Sequence, residues 1–323
     1  MTAIRKQGKI NDNTTLIDFG LFGVAGGGAV YLVEGEKKCL IDGGTSGEAS
    51  RIYKTLKNMN AFPPDMIILT HSHWDHTQGV PFLRKKASRY KKEIEVMASK
   101  KSLPLLEDQS WNKILFQGKL ENIKNVTPLD EGDIVDLGGI SLKIFDVPGH
   151  CKDHIAILDE TNRNIFVGDA VGAKNGDHFF IPTIVPPYWN WNDFNRTVNK
   201  LRDIDYDSLS LAHFGYIYED EAKNFLDEAV PLYELWWRLF EENRDELDNT
   251  GNMSSLISKE ANLIHPETKI LSPKLKILFG LMTGMKKIIG KKPLPVSELI
   301  LRQLIETLVL AFRTSKYYKK AAS

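Results

Sequence analysis

Short apolar runs alternate with helical periodicity over the first two-thirds of the chain, and helical periodicity alone governs the rest. Residues 15–19, 29–34 and 38–41 read as strands, joined by Gly26-Gly27-Gly28 and by Gly35-Glu36, connections short enough to predict an antiparallel start. Residues 46–59 place Ile52, Leu56 and Met59 at helical spacing, 66–70 is an unbroken apolar strand, 78–86 is helical again and 93–98 is another strand. A second strand-rich block follows at 133–137, 140–147, 154–158 and 164–167, then a helix at 191–204 and a last strand at 209–212. Two strand-rich halves, each with helices attached, predict two sheets face to face with helices outside. This is a four-layer α/β/β/α sandwich of the α/β class. From Glu219 onward the pattern is helical, at 219–243, 254–263, 274–289 and 297–313, with Pro231 expected to kink or split the first of these. The expected organisation is an α/β domain at 1–217 followed by an all-helical extension at 218–323.

Composition narrows the class. With 42% hydrophobic residues and a formal net charge of zero, from 42 basic and 42 acidic side chains, the chain can bury enough surface to fold. The basic excess of a nucleic-acid binder is absent, so no nucleic-acid partner is expected. The zero is a cancellation, however. Residues 1–218 carry 26 basic and 27 acidic groups, 219–268 carry 4 and 13, and 269–323 carry 12 and 2. Cys39 and Cys151 are far apart and form no Cys-x-x-Cys, which fits a reducing compartment. With no apolar signal segment in the polar first fifteen residues and no membrane-length apolar run, a cytoplasmic location is expected.

The chemistry concentrates in Ile67-Ile-Leu-Thr-His71-Ser-His73-Trp-Asp75-His76-Thr-Gln-Gly79, an apolar strand that releases three of the chain's 8 histidines and a carboxylate within six residues. In extended backbone, positions i and i+2 face the same way, so His71 and His73 can share one ion. The turn that follows lets Asp75 and His76 face an adjacent position. Imidazoles and carboxylates without a thiolate suit zinc, iron or manganese, and a mixed nitrogen and oxygen pair of sites is typical of hydrolytic dinuclear centres. Asp146-Val-Pro-Gly-His150, Phe166-Val-Gly-Asp169 and Leu211-Ala-His213-Phe-Gly215 each end an apolar run at one His or Asp beside glycine. Strand ends are positions a sheet holds rigidly.

The order His-x-His-x-Asp-His, Pro-Gly-His, Gly-Asp and a final His resembles the metallo-β-lactamase superfamily, in particular its glyoxalase II and lactonase-like branch, over residues 31–215. The resemblance implies two divalent ions, zinc first and iron or manganese as alternatives. It assigns His71, His73 and His150 to the first, Asp75, His76 and His213 to the second, and Asp169 to both. Asp42, in Leu40-Ile-Asp-Gly-Gly, matches a carboxylate that orders the ligand loop without binding metal. Asp75 would also orient the attacking hydroxide, and His154 would line the site as a hydrogen-bonding residue. The lactonases of this branch carry a tyrosine shortly after the bridging Asp. Here Asp169 is followed by Ala-Val-Gly-Ala, and Tyr188 is the residue that could fill similar space.

The implied activity is metal-dependent hydrolysis of an ester-like carbonyl, with a thioester or lactone favoured over a phosphodiester. Two rivals differ in kind: a regulatory protein whose metal site is plugged by the C-terminal helices, and a mononuclear-iron sulfur dioxygenase. Phe22, His178, Phe179, Tyr188 and Trp189 are the candidate walls of a pocket for a small-molecule substrate with an apolar acyl part, and core packing is the alternative for the aromatics. The apolar, lysine-flanked stretch at 274–292 fits a helix packed against the domain or against a second subunit in a homodimer, with peripheral membrane contact as the alternative. Cys151 is expected to be a small buried filler.

Overall fold

The computed structural model describes residues 3–260, apart from positions 5, 24, 175–179, 186, 248, 250, 251, 254, 255 and 258. The strands are β1 (Ala3–Ile4), β2 (Gly8–Lys9), β3 (Thr14–Asp18), β4 (Ala29–Glu34), β5 (Lys38–Ile41), β6 (Met66–Leu69), β7 (Glu95–Ser99) and β8 (Val126–Leu129). They continue with β9 (Ile134–Asp136), β10 (Ser141–Asp146), β11 (Ile155–Asp159), β12 (Asn164–Gly168), β13 (Ala173–Lys174), β14 (Phe180–Ile181), β15 (Ser208–Leu211) and β16 (Gly215–Tyr218). The helices are α1 (Ala49–Asn58), α2 (Trp74–Thr77), α3 (Val80–Ala87), α4 (Leu103–Glu107), α5 (Trp191–Asp203) and α6 (Glu219–Glu242).

One seven-stranded sheet runs β2-β3-β4-β5-β6-β7-β8, antiparallel up to β5 and parallel from there on. The other runs β1-β16-β15-β12-β11-β10-β9, antiparallel except for the β12–β15 pair. The two inner faces meet in a core that includes Tyr31, Val33, Ile41 and Ile68 from the first sheet and Ile144, Ile155, Ile157 and Phe166 from the second. The alternate residues Val30, Leu32, Leu40, Ile67 and Leu69 point outward under α1 and α3, against Ile52, Leu56 and Leu83. On the far side Leu158, Ile165, Leu209 and Ile217 are covered by Leu201 of α5 and by Phe225 and Leu226 of α6. Strands that bury both faces must be apolar at every position, which explains the unbroken Met66–Leu69 run. Full burial of a Leu or Ile such as Leu56 or Ile52 is worth about 1.5–3 kcal/mol.

The four layers predicted from the pattern are present, with three differences in detail. The short edge strands β1 and β2, and the two-stranded β13–β14 pair, carry no two-residue alternation long enough to read. The helical segment expected at 78–86 is preceded by a separate short helix, α2, that carries Asp75 and His76. Pro231 does not split α6, which runs from Glu219 to Glu242 as one helix. Pro231 is on the exposed face, so the carbonyl of exposed Asp227 that it leaves without an N–H can be hydrated, while buried Ala229, Leu232 and Tyr233 hold both halves in one core. The helices expected at 274–289 and 297–313, and most of 254–263, lie outside the described residues.

One glycine fixes how the first helical layer meets the rim of the sheet. A Cβ on Gly79 would sit 2.0 Å from the Gly43 carbonyl oxygen, a backbone atom that cannot move aside. The contact lets the loop after β5 lie directly on the start of α3. Gly43 N–H reaches the His76 carbonyl at 2.7 Å and Gly79 N–H the Gly44 carbonyl at 2.8 Å, so the two loops are stitched together.

Candidate metal centre

The residues singled out from sequence converge on one rim, where strands of both sheets end. Asp42 follows β5, His71 and His73 follow β6, His150 lies between β10 and β11, Asp169 follows β12, and His213 joins β15 to β16. Asp75 and His76 sit in the first turn of α2.

The donors form two sets. In the first, His71 Nε2 and His150 Nε2 each lie 2.8 Å from His73 Nδ1, with all three rings buried. In the second, His213 Nε2 is 3.4 Å and His76 Nε2 3.9 Å from Asp75 Oδ2. Asp169 stands between them: Oδ2 is 3.6 Å from His150 Nε2 and 3.5 Å from His76 Nε2, and Oδ1 is 3.6 Å from His213 Nε2.

The outer ring nitrogens have partners that orient the inner ones. His150 Nδ1 donates to the Thr183 carbonyl at 2.7 Å, and His213 Nδ1 to the Gly27 carbonyl at 2.7 Å. His76 Nδ1 donates to Asp42 Oδ2 at 2.8 Å. His71 Nδ1 donates to Thr70 Oγ1 at 3.0 Å, and that hydroxyl donates onward to Asp42 Oδ2 at 2.9 Å. With its proton used on the outside, a neutral ring turns a bare lone pair inward, as His71 and His150 do and as His76 and His213 do once an ion displaces their second proton. His76 Nε2 and Asp169 Oδ1 are buried without a hydrogen-bond partner. His71 Nε2 and His150 Nε2, each 2.8 Å from His73 Nδ1, stand beside the orphaned His76 nitrogen and Asp169 carboxylate oxygen, and His73 Nε2 is itself buried without a partner, a convergence of buried donors that suits a cation. The donor set therefore fits divalent metal.

Electrostatics separates the two sets. Burial, reinforced by neighbouring imidazoles, holds His71 well below the usual histidine range. Burial also depresses His73 and His150, although nearby carboxylates oppose it. Burial would depress His76 and His213 as well, but carboxylates outweigh it. Asp42, Asp169 and Asp75 hold His76 well above its ordinary value, and Asp169 with Asp75 pushes His213 up to about 9. Burial of Asp75 is overcome in turn by His76 and His213, which bring it down to about 2.

His154 lies behind the donors. Its Nε2 accepts the Asp169 backbone N–H at 3.1 Å, and its ring stacks on His71 at 4.6 Å. Gly168, at φ +49°, has no room for a side chain, because a Cβ would lie 2.8 Å from the His154 ring. Cys151 Sγ comes within reach of the first set, while burial and the nearby Asp153 push its thiol far up in the absence of an ion.

Of the expected pocket residues, Phe22 lies 5.8 Å from Trp74 and Tyr188 5.6 Å from Trp111, each one ring removed from the donors, whereas Trp189 is turned into the core. Trp189 is 3% exposed and packs into the helical core, stacked on Tyr233 at 5.5 Å and against Phe194 at 5.2 Å. Its neighbours Pro187 and Tyr188 leave it facing inward, so core packing is its role. His178 and Phe179 lie outside the described residues.

Sequence reasoning missed four residues at the site. Asn112 clamps the ligand loop, donating to the Ser72 carbonyl at 3.0 Å and accepting the Trp74 N–H at 3.2 Å. Asp153 Oδ2 accepts the Ser72 N–H at 3.0 Å. Trp111 packs on His73 at 5.5 Å and Phe116 stacks on Trp74 at 4.2 Å. Trp111 and Asn112 lie on a short 3-10 helix, Gln109–Ile114, and Phe116 just beyond it, in a segment too short to show periodicity. Asp153 had a usable signal, as a charged residue between His150 and His154 at the start of a buried strand.

The sequence model of the metallo-beta-lactamase superfamily matches residues 23–213. The chain belongs to this superfamily. Among its relatives are a probable metallo-hydrolase of Methanocaldococcus jannaschii, 30% identical over 47% of this chain and 71% of that one, and a metallo-beta-lactamase fold-containing protein of Sulfurisphaera tokodaii, 28% identical over 64% and 80%. A hydroxyacylglutathione hydrolase of Ruegeria pomeroyi is 28% identical over 62% of this chain and 66% of its own. An archaeal superfamily structure from Sulfolobus tokodaii has a TM-score of 0.58 at 21% identity, covering 94% of this chain and 99% of that one, which shows the shared fold.

Proposed function

We propose that this metallo-beta-lactamase superfamily member is a metal-dependent hydrolase that cleaves a thioester or lactone with an apolar acyl part at two divalent ions. The observation that carries the reading is Asp169, one carboxylate between two convergent donor sets. His71, His73 and His150 would hold one ion, Asp75, His76 and His213 the other, and Asp169 both. Zinc is the first expectation, and iron or manganese suits the same donors. Such ions lower the pKa of water toward neutrality and polarise a carbonyl oxygen.

The chain contributes position and charge. Asp75, brought down to about 2, stays ionised at neutral pH, so it accepts hydrogen bonds from the attacking water and orients it. Its side chain is 16% exposed against 7% for Asp169, which supports a role on the more open side of the site. Asp42 and Thr70 hold the rings of His71 and His76 so that the inner nitrogens face the ion.

An aromatic collar supports the apolar acyl part. Phe22 lies 5.8 Å from Trp74, which stacks on Phe116, while Tyr188 lies 5.6 Å from Trp111, itself against His73. Phe22 is 51% exposed and has a left-handed φ of 53°. A bulky apolar side chain kept in strained backbone at the surface is a cost that a substrate contact offsets. The hydroxyacylglutathione hydrolase among the relatives supports an acyl substrate.

The test is a panel of thioesters, lactones, phosphodiesters and β-lactams on metal-loaded protein. At least one carbonyl substrate is turned over, and Asp75→Asn and His213→Ala each reduce kcat/KM by about two to four orders of magnitude. Within the accepted class, lengthening the acyl chain lowers KM, and Phe22→Ala abolishes that trend while sparing the shortest substrate. No turnover with both ions bound would sink the hydrolase and favour the plugged regulatory reading. A single iron per chain with oxygen consumption would favour the dioxygenase.

A further inference from the structure

We infer that Tyr233, on the helix that follows the last strand, is a positioning residue for the donors His150 and Asp169. This rests on the reading that His150 and Asp169 hold metal.

The direction of each hydrogen bond in the relay follows from counting protons. Thr183 N–H donates to Tyr233 Oη at 3.0 Å, and Tyr233 Oη lies 2.7 Å from Thr183 Oγ1. Thr183 Oγ1 donates its one proton to the Asp169 carbonyl at 2.6 Å. The phenol must therefore donate to Thr183 Oγ1 while accepting from Thr183 N–H, a two-point grip on a single residue. The Thr183 carbonyl in turn accepts from His150 Nδ1 at 2.7 Å. One phenol thus orients Thr183, and Thr183 holds the His150 ring and the backbone of Asp169.

The grip is built to be rigid. Tyr233 is fully buried, stacked on Trp189 at 5.5 Å and packed on Phe194 at 4.2 Å. Burial pushes its hydroxyl far above the usual tyrosine range, so it stays a phenol with a proton to give. Thr183 itself lies in the segment Pro182-Thr-Ile184, between the paired strand β14 and the aromatic core, with no regular backbone ladder to fix it. Without the phenol, nothing else among the described hydrogen bonds holds its N–H. Partners of this kind typically set metal affinity within one to two orders of magnitude. Helix α6 thereby becomes part of the metal centre although it supplies no donor.

The test is a zinc competition titration against a chromophoric chelator on the full chain, stripped of metal. Tyr233→Phe and Thr183→Val are expected to weaken the affinity of the His150 ion by about ten- to a hundredfold, and Thr183→Ser to retain it. Phe240→Leu, a volume change on the same buried helix, serves as the control: it lowers the thermal midpoint without shifting zinc affinity. Unchanged affinity in Tyr233→Phe, or an equal loss in Phe240→Leu, overturns the assignment. Wild-type protein that binds no zinc overturns the hydrolase reading and this one together, whereas tight wild-type binding with an indifferent Tyr233→Phe overturns this one alone.

Discussion

Asp42 shows how much one residue can be asked to do at this site. It sits at φ 64°, a conformation that L residues avoid, and its carboxylate accepts the Thr70 N–H at 2.8 Å as well as the Thr70 hydroxyl and His76. Together with Asp75 and Asp169 it makes the second donor set basic, while the first is depressed by burial. The sign of the consequence can be worked out. At pH 7 without metal, His213, pushed up to about 9, and His76 carry protons, and an ion must displace them. His71, His73 and His150 are already neutral and release none. Zinc titrations between pH 6.5 and 9 should therefore show one affinity that is flat and a second that rises with pH, by about tenfold per unit for each proton displaced. Parallel pH dependence of both affinities would refute the asymmetry. The donors were legible because a strand end compresses four of them into six residues. Trp111, Phe116 and Asn112 were not, because only the fold brings a loop some 40 residues away onto the ligand turn. For Trp189 the sequence leaves pocket and core open for a related reason: adjacent aromatics in a proline-rich loop can face opposite ways, and its burial against Tyr233 and Phe194 favours the core.

Among the elements, those that bury both faces were readable and those at the edges were not. Met66–Leu69 and Ile155–Asp159 are buried throughout and announce themselves as apolar runs, whereas β1, β2 and β13 have two residues each, too few for any period. Helix α6 is instructive because its periodicity was right and its expected break was wrong. An interior proline costs a helix about 3 kcal/mol, through the lost hydrogen bond and the clash of its ring with the carbonyl four residues back. Here the freed carbonyl is on the solvent side, and the buried residues on both flanks belong to one packed cluster. Replacing the proline restores the missing hydrogen bond while making the unfolded chain less stiff, effects of opposite sign. Pro231→Ala should stabilise the protein by roughly 1–2 kcal/mol, as the balance of those two terms. Chemical denaturation of the metal-loaded protein measures it, and a lower midpoint would mean that the helix is shaped by the proline.

For the whole molecule, the most informative number is the net charge of zero, because of how it is distributed. The first 218 residues are nearly balanced, 219–268 are acidic by nine charges and 269–323 basic by ten. The acidic block contains α6, whose first turn holds Glu219, Asp220 and Glu221, where the helix N-terminus favours negative charge. That placement accounts for only part of the excess. Asp227, Glu228, Glu234 and Glu242 continue it along the exposed side of the helix, facing away from the sheet. No helix among the described residues is long and apolar enough to cross a membrane, and on charge alone the acidic block is a complement for the basic one. We expect the two blocks to attract one another, within one chain or across a dimer. Each exposed pair contributes at most about 1 kcal/mol and is screened over a Debye length of about 8 Å at physiological salt, so only the sum is measurable. Sedimentation and thermal unfolding of the full chain at low and high salt separate the outcomes. Attraction within the chain lowers the midpoint as salt rises at constant mass, and attraction across a dimer lowers the mass as well. Indifference of both to salt would remove any electrostatic role for the basic block.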